Sequence, residues 1–570
     1  MWQEACIVNV SGENSKSTGN NLGEVSGHSC SGVIVDRQRG LVLSHGIAFS
    51  PYLPDGFTSQ QVRQQGWYKP QETDRFNIEV IVRPRLGNGQ PEASSRCLQP
   101  IQQPIAAATS AGGKQAYDLE SAPERKCSAE LLLLWRCTDF DDAVRKLMPK
   151  YDGWHFDEPP NSPADNRRDA SHQIEAVQSR VKTDWMAEVS LSWFALLKLE
   201  ESEKGAESSV VVAEEQARIG SPVLAVGTPF GILCPSVFLN SLAKGIVCNT
   251  AGRGGALILT DARCLPGTEG GPLFTVDRDG KGLLLGLVAA PLCWKANEWI
   301  GLSLVCSFRA ALDSLSRLVP WPLITAAAVP HSSLEPPLPA LSQLEKSVVM
   351  VEAGKIWGSG VVVHMDQSKV YLLTCRHVIG SSSRVNVVLY HAQNVRVVGH
   401  VVYATPSESV YDLAVVEFPN PGVELVPVRK TRRYDLGEQC FAAGYGLFGQ
   451  NQRLKPTVTA GVLSNVISWQ DNPIMLQSTC AVHAGVSGGA LFDQQGQLMG
   501  IVVSNAKDVQ LKACYPHLNF IIPSTSFAKA MKRFVQSKDV GCLSELDNND
   551  HFLQDLWKLQ EPKPLLQSKM

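Results

Sequence analysis

Apolar residues along this chain gather in short runs, separated by Gly, Pro, Asn and Ser, rather than in the three-four spacing of an amphipathic helix. Residues 31–35, 41–46, 192–199, 222–227, 243–247 and 282–288 are runs of this kind. Many short strands with turn residues between them predict an all-β protein built from sandwiches or barrels. From about 85 to 185 the pattern decays into Pro, Ser, Gln and mixed charge, the signature of a long insertion, with one short apolar piece at 131–135. A second break, 320–343, holds Pro320, Pro322, Pro330, Pro336, Pro337 and Pro339 among few large apolar residues and reads as a linker. Strand-like runs then resume at 347–351, 358–363, 370–374, 411–418, 441–444, 458–464, 498–503 and 518–523. Two stretches near the end, 525–535 and 552–559, read as helices, the second with Phe552, Leu553, Leu556 and Trp557 on one face.

The two halves repeat the same motifs in the same order. Ser31-Gly32-Val33-Ile34 answers Ser359-Gly360-Val361-Val362, and His45 sits near where His377 sits. Phe194-Ala195-Leu196-Leu197 answers Leu413-Ala414-Val415-Val416. Gly267-Thr268-Glu269-Gly270-Gly271-Pro272-Leu273-Phe274 answers Gly485 through Phe492. Matching order argues for two copies of one domain. Residues 1–319 form the first copy, 344–535 the second, and 536–570 a helical tail. The copies differ chemically, with Trp193 where the second has Asp412 and Glu269 where it has Ser487. Neither replacement can serve as an orienting anion or an activated hydroxyl, so the first copy is expected to be inert.

Composition narrows the class. A chain of 570 residues exceeds one core, and a net charge of −3 without charge blocks gives no footprint for nucleic acid or a membrane surface. The N-terminus lacks a signal-like basic and apolar pair, and no apolar stretch is long enough to span a bilayer. Fifteen cysteines, an odd number without a C-x-x-C pair, point to reduced thiols rather than a disulfide framework or a structural zinc site. No cofactor or metal is expected.

The chemistry concentrates in the second copy. Ser487 lies in a glycine turn, Gly485-Val486-Ser487-Gly488-Gly489, ahead of an apolar strand, and such a turn can aim backbone N–H groups at one point. Each residue has a plainer reading alone: a tight loop for Ser487, a partly buried histidine for His377, a strand-opening residue for Asp412. Together they supply a hydroxyl, an imidazole and a carboxylate.

The segments Leu373-Thr374-Cys375-Arg376-His377-Val378, Asp412-Leu413-Ala414-Val415-Val416 and Gly485-Val486-Ser487-Gly488-Gly489 resemble trypsin-like serine proteases of the Deg/HtrA branch. So do Thr457-Val458-Thr459-Ala460-Gly461-Val462 and Leu518-Asn519-Phe520-Ile521-Ile522-Pro523. The resemblance covers 345–530 well and 26–315 as a degenerate copy. It implies two tandem double β-barrel units, the active site lying between the barrels of the later one. It also implies Ser487 as nucleophile, His377 as general base, Asp412 as its orienting anion, and the N–H groups of Gly485 and Ser487 as oxyanion hole. Val486 stands where secreted trypsins carry an aspartate that pairs with a freed N-terminus, so that mode of activation is excluded. The chain after the protease unit is expected to be too short for the binding domain common in that branch. Ala481, at the base of the implied specificity pocket, carries no charge and suits a small or apolar residue such as Cys. His483 either borders that pocket or is a solvated loop histidine. Cys375 and Cys480, close to the site, are expected to pack rather than react.

The last residues, Ser568, Lys569 and Met570, resemble a type 1 peroxisomal targeting signal with Met in place of Leu. With the inert copy and the linker, this makes the chain resemble the trypsin-like processing proteases of peroxisomes and glyoxysomes. That resemblance implies a matrix location, delivery by the targeting-signal import receptor, and removal of leader peptides from imported matrix proteins by cleavage after cysteine. It also implies self-cleavage, with Cys97 and Cys127 in the insertion as candidate sites. A homo-oligomer is left open. The competing readings are a general quality-control protease and a protease-fold binding protein or chaperone without activity.

Overall fold

Runs of Val, Ile and Leu bounded by Gly and Pro leave sheet edges to be covered, and in this chain they close into barrels, which abolish edges. The computed structural model describes residues 4–12, 27–53, 57, 60–71, 74, 76–82, 124–149, 152–156, 190–201, 210–213, 216–231, 233, 235–277, 281–295, 298–319, 328–329, 343–392, 395–431, 433–448, 454–508 and 513–559. The chain divides into two units, Met1–Asn297 with Leu302–Glu335, and Pro336–Met570 with Glu298–Gly301.

In the first unit, β1 (Ala5–Gly12), β2 (Gly27–Asp36), β3 (Leu41–His45), β4 (Phe76–Val82), β5 (Arg125–Arg136) and β6 (Trp193–Leu199) pair in the order β1-β2-β3-β6-β5-β4, and β4 returns to β1. A second barrel uses β7 (Pro222–Gly227), β8 (Ser241–Ala251), β9 (Leu257–Thr260), β10 (Pro272–Val276), β11 (Gly282–Ala290) and β12 (Ser303–Ser307). Its order is β7-β8-β9-β12-β11-β10, with β10 back against β7.

The second unit repeats this. Its first barrel holds β13 (Val348–Ala353), β14 (Ile356–Met365), β15 (Lys369–Thr374), β16 (Arg384–Leu389), β17 (Val395–Ala404) and β18 (Ala414–Pro419), closed as β13-β14-β15-β18-β17-β16. Its second holds β19 (Gln439–Gly444), β20 (Thr457–Trp469), β21 (Asn472–Ser478), β22 (Ala490–Asp493), β23 (Leu498–Asp508) and β24 (Ala513–Pro523), closed as β19-β20-β21-β24-β23-β22. One strand order thus occurs in all four barrels. The fold is all-β, two tandem double-barrel units, as the repeated motifs imply.

Apolar cores fill the barrels: Val8, Val42, Val80, Leu134 and Leu197 in the first, Val223, Val247, Leu273 and Val305 in the second, Leu463, Leu476, Leu491 and Ile521 in the last. Each such side chain contributes roughly 1.5–3 kcal/mol on burial.

The expected insertion at 85–185 is not one segment. β5 lies in its middle and includes 131–135, followed by a helix at Thr138–Leu147 that buries Phe140, Ala143, Val144 and Leu147. The first half of β5 has a polar outer face, with only Cys127 and Leu131 buried before residue 133, which hides the strand in composition. Of the linker at 320–343, Ala328–Val329 pair in parallel with Val212–Ala213; the other residues except Gln343 lie outside those described.

Two helices follow β24, at Ser524–Ser537 and His551–Trp557. Asp550 caps the second through the N–H groups of Phe552 and Leu553, and its inner face seats Phe552 on Trp469 (ring centroids 4.1 Å apart) with Leu553 buried.

His45 gives the first unit a pH dependence. Its Nε2 is 3.1 Å from the Leu191 carbonyl, and Nδ1 accepts the Ile47 N–H at 3.2 Å, so the neutral ring satisfies both partners and a second ring proton would oppose a donor. Burial pushes the imidazole down from 6.5 to about 4. The unfolded chain therefore binds a proton between these values while the folded chain does not, and stability falls as pH falls through that window. The loss expected between pH 7 and pH 4 from this group is about 3 kcal/mol, at ~1.4 kcal/mol per unit. Hydrogen exchange of the first unit across this pH range checks it; His45→Leu should flatten the dependence.

Candidate active site

The turn at 484–489 joins two constraints. Val486 N–H bonds the His483 carbonyl at 3.1 Å and Gly489 N–H the Val486 carbonyl at 2.7 Å, which curls the backbone around Ser487. Gly485 and Gly488 take φ of 92° and 82°, values that L side chains rarely adopt. At Gly488 space also forbids a side chain, because a Cβ would lie 2.1 Å from Ser359 O and 3.0 Å from Cys375 N. The turn is thereby pressed against the end of β15, three residues before His377. Among the described residues no acceptor within the chain takes the N–H of Gly485 or of Ser487.

His377 lies in a one-turn helix, Arg376–Ile379, that follows β15. Asp412 immediately precedes Leu413 and β18, the strand paired with β15, so ladder register delivers the carboxylate to the histidine. Asp412 Oδ2 accepts from His377 Nδ1 in a short hydrogen bond, and Oδ1 accepts the His377 backbone N–H at 3.0 Å. Held at both points, the ring carries its proton on Nδ1 and presents Nε2 as an acceptor. The imidazole side chain is 50% exposed and the carboxylate 30%, leaving the ring open to a substrate.

Ser487 is half-buried, and its hydroxyl donates to the Val503 carbonyl at 2.8 Å. The structure therefore joins His377 to Asp412 and brings the serine turn alongside them, but the hydroxyl is bonded elsewhere. Cys375 is fully buried with its thiol donating to the Val502 carbonyl at 3.4 Å; burial, with the Asp412 charge second, pushes it well above the usual thiol range, which suits packing rather than nucleophilic attack. Cys480 is buried, its sulfur 3.8 Å from that of Cys440.

The first unit reproduces this scaffold bond for bond. Ser359 Oγ donates to Gly485 O at 2.8 Å and accepts Tyr445 N–H at 2.8 Å; Ser31 Oγ does the same with Gly267 O and Thr228 N–H, both at 2.8 Å. Thr374 Oγ1 donates to Ser359 O, and Ser44 Oγ to Ser31 O, each at 2.7 Å. Ser487 and Glu269 carbonyls accept from Ser359 and Ser31 N–H, each at 2.8 Å. This register corrects one reading. Ser44 corresponds to Thr374, so His45 corresponds to Cys375; both stand at the N-cap position of the turn that follows their strand, and the His45 side chain caps it while that of Cys375 does not. Ile47 holds the position of His377. The counterpart of Asp412 is Trp193, since Ser44 pairs with Ala195 as Thr374 pairs with Ala414. Trp193 is buried and stacked on Phe57, ring centroids 4.5 Å apart. Ile47, Trp193 and Glu269 thus stand where the second copy carries its imidazole, carboxylate and hydroxyl.

Glu269 does more than replace a serine. Its Oε2 accepts the Gly267 N–H at 2.7 Å, the counterpart of the Gly485 N–H. The degenerate turn holds an anionic oxygen where an active turn would hold an oxyanion. Glu269→Ala is expected to cost the first unit about 1–3 kcal/mol by stranding that donor, and Glu269→Gln less. Faster amide exchange across 267–271, measured by mass spectrometry, checks it.

The remaining expected residues fall as follows. Ala481 is buried, its carbonyl accepting from Thr459 Oγ1 at 2.8 Å. His483 is 8% exposed, not a solvated loop histidine: its ring packs behind the turn, 3.2 Å from where a Cβ on Gly446 would sit. Cys127, paired with Val80 inside β5 and 5% exposed, is shielded from a protease that must bind an extended, unpaired backbone. Cys97, Ser568, Lys569 and Met570 lie outside the described residues. Sequence reasoning missed the roles of Ser359 and Thr374, which tie the serine turn to β15; a hydroxyl at both positions in both copies (Ser31, Ser44) was the available signal.

The tail braces the loop carrying Asp412. Val410 N–H bonds the Asn548 carbonyl at 2.7 Å, Asn548 N–H reaches Ser409 Oγ at 3.3 Å, and Trp557 meets Tyr411 edge-on with centroids 6.2 Å apart.

Residues 157–287 and 358–501 match the trypsin-like peptidase domain family. A Mus musculus protein named peroxisomal leader peptide-processing protease is 37% identical over 98% of this chain and 96% of its own length. The Homo sapiens protein of the same name is 38% identical over 94% of this chain and 93% of its own. Serine protease Do-like HtrB of Bacillus subtilis (strain 168) is 29% identical over 32% of this chain and 39% of its own.

Proposed function

The chain belongs to the family of the peroxisomal leader peptide-processing proteases, and we propose that it is a serine endopeptidase removing leader peptides from proteins imported into the peroxisome matrix. The observation that carries the assignment to the second unit is the two-point hold of Asp412 on His377 beside the Ser487 turn.

Ser487 Oγ attacks the scissile carbonyl carbon as His377 Nε2 takes its proton, and Asp412 stabilises the imidazolium formed. The new oxyanion lies against the N–H groups of Gly485 and Ser487. His377 then protonates the leaving amine, and water repeats the sequence on the acyl-enzyme. Before the first step the hydroxyl must leave the Val503 carbonyl. Staggered wells about χ1 make this a small rotamer change, and catalytic hydrogen bonds commonly tighten only once substrate is present.

An uncharged wall at Ala481, with His483 behind the turn, favours a small P1 residue such as cysteine over lysine or arginine. Self-processing is assigned to Cys97, because Cys127 is locked in a barrel strand. Ser568, Lys569 and Met570 serve as the address read by the import receptor. The first unit, without the three reactive groups, holds structure or substrate rather than cleaving.

The test uses full-length protein and a precursor with a cysteine-containing leader, with products identified by mass spectrometry. One cut after the cysteine is expected. A ladder of fragments would favour a quality-control protease instead, and no Ser487-dependent product a binding protein.

A further inference from the structure

One feature beside the reactive groups is not used by peptide hydrolysis: a thiol. Cys375, His377 and Asp412 each offer a donor atom, and the three donors lie within 4.8 Å of one another. Serine-protease chemistry requires only the imidazole and the carboxylate of this set. Sulfur, imidazole nitrogen and carboxylate oxygen are the donors that zinc takes. Zinc bonds of roughly 2.0–2.3 Å place tetrahedral ligands about 3.3–3.7 Å apart, so side-chain movements on the order of 1 Å would complete three corners, water taking the fourth.

We propose that Cys375, His377 and Asp412 form an inhibitory binding site for a thiophilic divalent cation of the zinc type, which silences the protease by occupying its base and orienting carboxylate. The half-exposed His377 and the partly exposed Asp412 give the cation an approach from solvent, while the buried Cys375 sulfur lies at the inner end. On binding, the sulfur gives up its proton and its hydrogen bond to the Val502 carbonyl. The cation competes with the His377–Asp412 hydrogen bond, so the imidazole can no longer be held as a free acceptor for the serine proton. Hard cations such as magnesium, which favour all-oxygen shells, do not compete for these donors.

The inhibitory half of the proposal rests on the catalytic reading given above; the binding half does not, and two measurements separate them. Cobalt(II) titration of full-length Ser487→Ala protein should give a thiolate-to-cobalt charge-transfer band that zinc abolishes and magnesium does not. Added Cys375→Ser or Cys375→Ala substitutions should remove that increment, the difference spectrum discounting the other cysteines. Leader cleavage by the Ser487-containing chain should be reversed to its starting rate by a chelator after zinc inhibition. Half-inhibition should need about tenfold more zinc or more in each Cys375 variant, referred to that variant's own metal-free rate, because the soft donor is gone. A difference spectrum without a Cys375-dependent band overturns the site. Equal zinc sensitivity in parent and Cys375 variants overturns the inhibitory role. Should the parent fail to cleave at all, the catalytic reading is at fault and the cobalt spectra still decide the site.

Discussion

Ser487→Ala is expected to lower kcat for leader cleavage by about a millionfold, the loss seen when the nucleophile of a serine-protease triad is removed. KM should move little, because the hydroxyl reacts rather than binds. The substitution leaves the scaffold nearly intact: the hydroxyl makes one hydrogen bond, to the Val503 carbonyl, worth about 1 kcal/mol. The backbone bonds of the turn, from Val486, Gly488 and Gly489 N–H and to Ser487 O, do not involve the side chain. A drop of this size with an unchanged unfolding transition is therefore chemical. Residual cleavage of about 1,000- to 10,000-fold over water is expected from the oxyanion hole and substrate positioning. Labelling by a fluorophosphonate probe should vanish with it. Cleavage within about tenfold of the parent would remove the serine from the mechanism.

Much of this was legible in the chain because the repeat writes each motif twice. Short apolar runs announce strands, and a glycine turn with φ above 80° on both sides of Ser487 leaves a sequence mark that no ordinary loop requires. Reading Trp193 opposite Asp412 needed only the order of apolar residues after it, which the ladder reproduces rung for rung. His45 was harder. A histidine at the end of the third strand in the first copy and just beyond it in the second invites pairing of His45 with His377, yet the two lie at different distances from the strand end, and only register shows that His45 answers Cys375. β5 escaped for a different reason: its early half buries few residues, so composition merged it with the polar segments on either side. The resting rotamer of Ser487 and the two-point hold on His377 depend on tertiary placement that no spacing encodes. Glu269 looked like a simple loss of a serine; in three dimensions its carboxylate takes the Gly267 N–H, the counterpart of the Gly485 N–H, from within the same turn.

Asp412→Asn is expected to lower kcat by about 10,000-fold while leaving the fold and KM close to the parent. Proton direction sets this loss. The carboxylate accepts from His377 Nδ1 through Oδ2 and from the His377 backbone N–H through Oδ1. An asparagine keeps an acceptor for the backbone bond at 3.0 Å, so the short helix and its strand junction survive. The other arm becomes an NH₂ group, a donor facing Nδ1, and the ring answers by moving its proton to Nε2. A base protonated at Nε2 cannot take the proton of Ser487. Collapse of the loop is not an alternative cause, because Val410 stays bonded to Asn548 and the Thr405 hydroxyl stays bonded to the Tyr411 and Leu413 carbonyls, contacts the substitution does not touch. Single-turnover cleavage of a leader peptide reads the chemical step directly. A loss confined to KM, or one smaller than about tenfold in kcat, would make Asp412 a residue of the loop and not of the proton path.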